Sequence, residues 1–535
     1  MKKTVMASWG DQPAKIRCVK SGDVGKGVID ASTFETLEID ELFDTVNYAT
    51  TTFGQSVLYR SLIQPEESFS AVTDKQGAVT EIQKNDALKE KITNTVDQVK
   101  EHEGRLLQLF YGQFSGLFGS NNENNVVDGY GYMPYRTGTR TVLQLVDNIN
   151  QMPAVDNAYL KHLFDTIKSF SQTRQYGLMK GPVYVREHSI QAKHERSGSF
   201  MPAMIFKPTL FKPLFIALLF IVIWLLDQFN PLTASDAAFS LSFDPSFFVM
   251  FLPLALLYIP VIGSFDRDHC IYPLRDEFRG SENVQNTLDA LGQLDELLSF
   301  IKLKEAYPSA MIMPIVVDKK HYEVSLTQAV NPILGKTIEN YVGNDFSLQK
   351  DRLAFITGPN SGGKTAFCKT LTQIQLLSQI GCFVPAAAAS LTIADRIYYQ
   401  APLISHLDDG EGRFGTELKR TKNIFLSSTT KSLVVLDELS EGTTFEERIE
   451  TGRNIMEGFL KKGNGTILIT HNYQLVDDFF QRSIGLPCQV EFQNEEPTFR
   501  LISGISRNSH ADRVAKKVGF SKSDIENYLK QDGDL

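Results

Sequence analysis

The apolar positions first recur at helical spacing. Phe53, Val57, Leu58 and Leu62 share one face of a helix that Pro65 ends. Residues 66–115 continue as charged helix. Residues 118–140, rich in Asn, Gly and Tyr (Asn121, Asn122, Gly129, Gly131), predict a loop, after which helical periodicity returns to about residue 180. Val284, Leu288, Leu291, Leu294, Leu298 and Ile301 predict an amphipathic helix over 281–306. From residue 315 the pattern shortens to strand-like runs and turns. Leu353–Thr357, Ser432–Leu436 and Thr466–Thr470 are apolar segments of the length of buried parallel strands. No repeat of solenoid length is present.

Two runs break this pattern. Residues 213–226 and 245–265 are almost wholly apolar, apart from prolines, one glycine and two serines, and no Lys or Arg occurs between Pro213 and Phe265. Lys193, Arg196, Lys207 and Lys212 precede them, and Arg267, Arg275 and Arg279 follow. That charge asymmetry predicts a two-helix transmembrane hairpin with both ends in the cytoplasm, so the chain is expected to be membrane-anchored. A buried hairpin or a subunit contact gives the same pattern. A span needs about 20 apolar residues, which the second run supplies and the first does only with Leu210, Phe211 and a snorkelling Lys212.

Composition narrows the classes. The 535 residues suffice for two or three domains, and the net charge of −9 argues against a broad basic nucleic-acid coat. Five scattered cysteines form no metal-ligand spacing and no disulfide framework, which fits a reducing setting. Met1–Gly10 has no apolar core of leader length, so no secretory signal is expected.

The strand Leu353–Thr357 leads into Gly358, Pro359, Asn360, Ser361, Gly362, Gly363, Lys364 and Thr365, followed by a helix from about Ala366 to Ile380. This is GxxxxGK[ST] between strand and helix, the arrangement that wraps backbone N–H groups and a helix N-terminus around phosphates. Lys364 would reach the β- and γ-phosphates of ATP, and the Thr365 hydroxyl would ligate Mg2+. The next strand ends in Asp437-Glu438, an acidic pair suited to hold the metal (Asp437) and to orient and deprotonate water (Glu438). His471 closes the third strand, where it can sense the γ-phosphate. A bare glycine turn, a helix N-cap at the acidic pair and a structural histidine are the bland readings of the same residues.

These motifs together resemble the MutS family of mismatch-repair ATPases. Gly358–Thr365 is similar to its P-loop, Gly381–Ala386 to the segment after the P-loop helix, Asp437–Thr443 to its Asp-Glu-Leu-Gly-Arg-Gly-Thr strand end, and Thr470-His471 to its Thr-His. Phe43–Thr45, Phe53-Gly54, Leu62–Pro65 and Leu294–Leu297 resemble the ends of its lever domain, and Ser509–Ser521 its helical dimerisation tail. The resemblance implies an α/β P-loop (ABC-type) ATPase domain with an all-α lever domain, and the charge pattern adds to that lever the transmembrane hairpin. It divides the chain into an extension (1–32), lever (33–200 and 266–314), hairpin insertion (201–265), ATPase domain (315–505) and tail (506–535). It implies a homodimer with composite sites, places Tyr341 against adenine and aligns the trans-acting loop with Gly412 and Arg413. Tyr341 reads equally as a core or surface aromatic, and Arg413 as a solvated cation.

The likeness also departs from the family. No mismatch-reading module is recognised in the first 32 residues, the hairpin stands where the DNA clamp would be, and Gly412 replaces the serine of the trans loop. The expected function is a dimeric ATPase acting on DNA. The alternative is an ATP-gated signalling or scaffold protein that binds no nucleic acid.

Overall fold

The computed structural model describes residues 26–111, 132–186, 189–195, 204–206, 222, 267–359, 362–402, 412–439, 445–494, 496–507 and 518–532. They fall into two compact units. One draws on Ala49–Val57 and Ile82–Glu296, the other on Arg17–Tyr48, Leu58–Glu81 and Leu297–Leu535.

The first unit is mainly helical. The helices Asp86–Tyr111 and Tyr132–Asn150 pack along their apolar faces, burying Leu106, Leu109, Phe110, Tyr135, Val142 and Val146. The second of these starts within the expected loop 118–140, whose residues 118–131 lie outside the described residues. Pro134 falls in the first helical turn, where a missing N–H leaves no bond unmade. Gly138 is a close-approach position, since a Cβ there would meet Leu109 at 3.0 Å. Two distant segments also meet in this unit. The fully buried Asp295 accepts from the Thr50 N–H at 3.0 Å and from the Thr51 N–H and hydroxyl, both at 2.7 Å. That carboxylate satisfies donors that begin the helix Thr52–Ile63.

Two expectations are corrected. The unit is not all-α: β1 (Val183–Arg186) pairs antiparallel with β2 (Ser189–Gln191) and β3 (Met204–Phe206). The β-branched and aromatic run Val183-Tyr184-Val185 is buried there. The transmembrane hairpin and membrane-anchored placement are also overturned, because no helix among the described residues is long and apolar enough to cross a membrane. The two longest described helices, Asp86–Tyr111 and Glu282–Ala306, carry charges along their course, such as Lys91, Asp97, Glu101 and Asp289. Apart from Val222, residues 213–226 and 245–265 lie outside the described residues.

The second unit is α/β. Its strands are β4 (Ile315–Val317), β5 (Val324–Ala329), β6 (Asn344–Leu348), β7 (Leu353–Thr357), β8 (Ala388–Thr392), β9 (Ile397–Gln400), β10 (Leu433–Asp437), β11 (Gly465–Ile469), β12 (Leu486–Gln493) and β13 (Glu496–Ser503). The main sheet has the order β13-β12-β7-β11-β10-β9 and is parallel except for the β12–β13 hairpin. A second sheet has the order β4-β8-β5-β6. Every residue of β7, β10 and β11 is buried, which explains their unbroken apolar runs. Phe355, Leu436 and Leu468 share a core with Met456, Phe459 and Phe479 from flanking helices.

Candidate nucleotide site

Strands β7, β11 and β10 are neighbours, so their C-terminal ends open on one edge, the usual ligand edge of a parallel sheet. From β7 the chain turns through Gly358 (φ 134°) into Gly363 (φ 84°), backbone that side-chain-bearing residues rarely adopt. A Cβ on Gly362 would lie 3.0 Å from Val490, and one on Gly363 would lie 3.3 Å from the Phe499 ring. Asn360 and Ser361 lie outside the described residues.

The helix Lys364–Gln379 follows, two residues earlier than the sequence pattern suggests. Three buried glutamines hold it. Gln373 donates to the Leu37 carbonyl at 2.9 Å, Gln375 to the Thr392 carbonyl at 2.9 Å, and Gln379 to the Ala394 carbonyl at 3.0 Å. The Tyr322 hydroxyl donates to Gln375 Oε1 at 2.9 Å. The later turns of the helix are thereby tied to Leu37, to the end of β8 at Thr392 and to Ala394.

That turn carries Lys364 and Thr365. The Lys364 ammonium is buried and donates to the carbonyls of Gly358 at 2.6 Å and Pro359 at 3.0 Å. Burial lowers its pKa, while Glu438 and Asp437 act in the opposite sense. The exposed Thr365 donates its hydroxyl to Asp437 Oδ2 at 2.9 Å. Glu438 takes a left-handed backbone (φ 59°), and its N–H donates to the Ile469 carbonyl at 2.9 Å. Its Oε1 lies 3.3 Å from His471 Nε2, which in turn lies 3.5 Å from Lys364 Nζ. Lys364, Thr365, Asp437, Glu438 and His471 thus form one contiguous group.

Tyr341 sits apart from that group, half-buried, with its hydroxyl beside Thr370 on the same helix; burial raises its pKa. Gly412 and Arg413 begin the helix Gly412–Ser427, and their side chains lie outside the described residues. The sequence reading missed Tyr399, whose hydroxyl donates to Asp437 at 3.4 Å. It also missed Val490 and Phe499, which stand against the P-loop from a hairpin more than 100 residues away. Only the strand register, absent from any local motif, brings these side chains to the site.

Sheet order, glycine turn and acidic strand end define the class: a P-loop ATPase domain. More particularly, residues 354–531 match the family model for MutS domain V, so this segment carries an ATPase domain of the MutS type. The DNA mismatch repair protein MutS of Parabacteroides distasonis is 32% identical over 252 residues, covering 45% of this chain and 28% of that protein. The MutS proteins of Prochlorococcus marinus (strain AS9601; 29% over 256 residues) and Acetivibrio thermocellus (32% over 249) cover 46% and 44% of the chain and again 28% of their own lengths. The chain thus matches under a third of the length of these curated relatives.

Proposed function

We propose that the chain binds and hydrolyses Mg2+–ATP as a homodimer and couples that cycle to work on DNA. The observation that carries the enzymatic part is the meeting of Lys364, Thr365, Asp437, Glu438 and His471 at the ends of three adjacent parallel strands. The donors suit the cofactor. A hydroxyl and a carboxylate 2.9 Å apart are hard oxygen ligands of the kind Mg2+ takes in ones and twos, leaving its other positions to water and phosphate. Lys364 already donates to two carbonyl oxygens of the loop, and phosphate oxygens are stronger acceptors of the same kind. When bound, the cation would neutralise charge on the β- and γ-phosphates.

Each side chain then has a task. Gly358, Gly362 and Gly363 let the backbone approach the phosphates, with Pro359, Asn360 and Ser361 completing the loop. Lys364 holds the β,γ-oxygens. Thr365 and Asp437 hold Mg2+. Glu438 orients the attacking water and accepts its proton, and His471, beside both Glu438 and Lys364, registers whether the γ-phosphate is in place. Tyr341 offers a ring for the adenine, and Gly412 and Arg413 serve the partner subunit's site.

Glu438→Gln keeps the shape and removes the base, so ATP turnover should fall by about 10²–10⁴-fold while ATP affinity is retained. Equal turnover in the variant and the parent chain would sink the assignment.

DNA is favoured as the object by the relatives, each called a DNA mismatch repair protein. A cleft of about 380 Å3 on the helical unit supports it, lined by His102, Arg136, Thr137, Arg140 and Gln144. Two arginines one helical turn apart cost a few tenths of a kcal/mol in repulsion, which phosphate would relieve. The acidic balance of the whole chain favours the rival reading, a nucleotide-gated scaffold without nucleic acid.

A further inference from the structure

Beyond the P-loop and the acidic strand end, the site contains a donor that no motif announces. Strands β9 and β10 run parallel with Tyr399 opposite Val435. Side chains alternate along a strand, so Tyr399, Val435 and Asp437 share one face of the sheet, and Tyr398, Val434 and Leu436 share the other. The second set lies in the apolar core with Phe459 and Phe479. The first set faces the nucleotide site.

Tyr399 is fully buried, and its hydroxyl donates to Asp437 Oδ2 at 3.4 Å. The same oxygen accepts from Thr365 at 2.9 Å. The tyrosine backbone is pinned on both sides. Its N–H donates to Thr33 Oγ1 at 3.0 Å, and its carbonyl accepts from Arg420 at 3.3 Å. Arg420 is itself paired with the buried Asp30 at 3.3 Å.

The two donors to Asp437 differ in kind. Thr365 sits in the first turn of the helix that follows the P-loop, and its oxygen would be a ligand of Mg2+ when the site fills. Tyr399 belongs to the rigid sheet and has no other task there. We propose that Tyr399 is a positioning residue for the metal-holding carboxylate: its hydroxyl keeps Asp437 in the orientation the divalent cation requires, without touching nucleotide. The inference rests on the ATPase reading above.

The test uses the full chain, the non-hydrolysable β,γ-imido analogue of ATP, and Mn2+ titrated by electron paramagnetic resonance. Donors behind metal-binding carboxylates are worth about 10–100-fold in metal affinity, so Tyr399→Phe should weaken Mn2+ binding by at least about tenfold. Affinity for the analogue in EDTA and the melting temperature without metal should match the parent chain. In turnover assays the Mg2+ midpoint should rise while the KM for ATP is unchanged. Tyr398→Phe, which removes a neighbouring buried hydroxyl on the opposite face, should leave Mn2+ affinity unaltered. Parent-like Mn2+ binding by Tyr399→Phe overturns the proposal, as does an equal loss in both variants. If the parent chain binds no analogue at all, the ATPase reading itself fails, an outcome distinct from either.

Discussion

Gln375 shows how single polar side chains set the position of the site. It is fully buried on the P-loop helix and meets the Tyr322 hydroxyl, the Thr392 carbonyl and Gln379 Oε1 at 2.8–2.9 Å. Leucine has a similar volume and a greater preference for the interior, so area alone favours Gln375→Leu. The opposing effect is larger. The buried Tyr322 hydroxyl and the Thr392 carbonyl would each lose a partner, at about 1–3 kcal/mol apiece. Gln375→Leu is therefore expected to lower stability by about 2–4 kcal/mol, read from the denaturant midpoint. Adding Tyr322→Phe should recover part of that loss, because it removes the stranded hydroxyl; a single variant as stable as the parent would refute the account. The P-loop and the Asp437-Glu438 pair were legible because phosphate and metal chemistry demands those residues consecutively. Gln375 and Tyr399 were not, because the tertiary fold and not a local motif brings Tyr322 and Thr392 to the one and Asp437 to the other.

At the scale of elements, helices in the first unit approach closely through glycine. A Cβ on Gly292 would lie 2.7 Å from the Phe53 carbonyl oxygen and from a Val57 methyl, and one on Gly54 would collide with Asp295. Helix propensity alone would make Gly292→Ala stabilising by about 1 kcal/mol. Packing decides otherwise, since backbone cannot yield as a flexible side chain does. The expected net effect of Gly292→Ala is a loss of about 1–3 kcal/mol, seen as a lower melting temperature. A rise in melting temperature would show that the helices separate without cost. The same reasoning explains why the loop expected over 118–140 was overextended. Gly138, within that expected loop, lies instead in a helix, where its lack of a side chain lets two helices touch at Leu109. Glycine's local meaning is ambiguous until its neighbours are known.

For the whole molecule the open choice is between DNA and no nucleic acid. Binding through phosphates carries a salt signature: each neutralised phosphate adds about 0.9 to the slope of log affinity against log salt. The chain with the ATP analogue should retain duplex or branched DNA in low salt, with affinity falling as salt rises. Arg136→Glu with Arg140→Glu should cut that affinity by about tenfold or more and lower the slope by about 2. Absence of DNA binding at about 0.15 M salt would leave the scaffold reading standing. Both arginines are exposed and the cleft lies on the helical unit, so the substitutions should spare ATP turnover.

Read alone, the amino-acid order determined the chemistry of the nucleotide site. Its glycines, lysine and threonine stand consecutively in one turn, and the acidic pair stands together at one strand end, so each motif is legible from adjacent residues. It also determined the three buried parallel strands, since burial on both faces forces an unbroken apolar run. It misled over the apolar runs: with their flanking positive charges they predicted a membrane hairpin, yet no described helix has the length and apolarity to span. The three-stranded sheet beside the helices, the glutamine anchors and the tyrosine behind Asp437 were decided only by tertiary structure. Each depends on which strands and helices become neighbours, and that choice is made by packing of the whole unit rather than by any short stretch of chain.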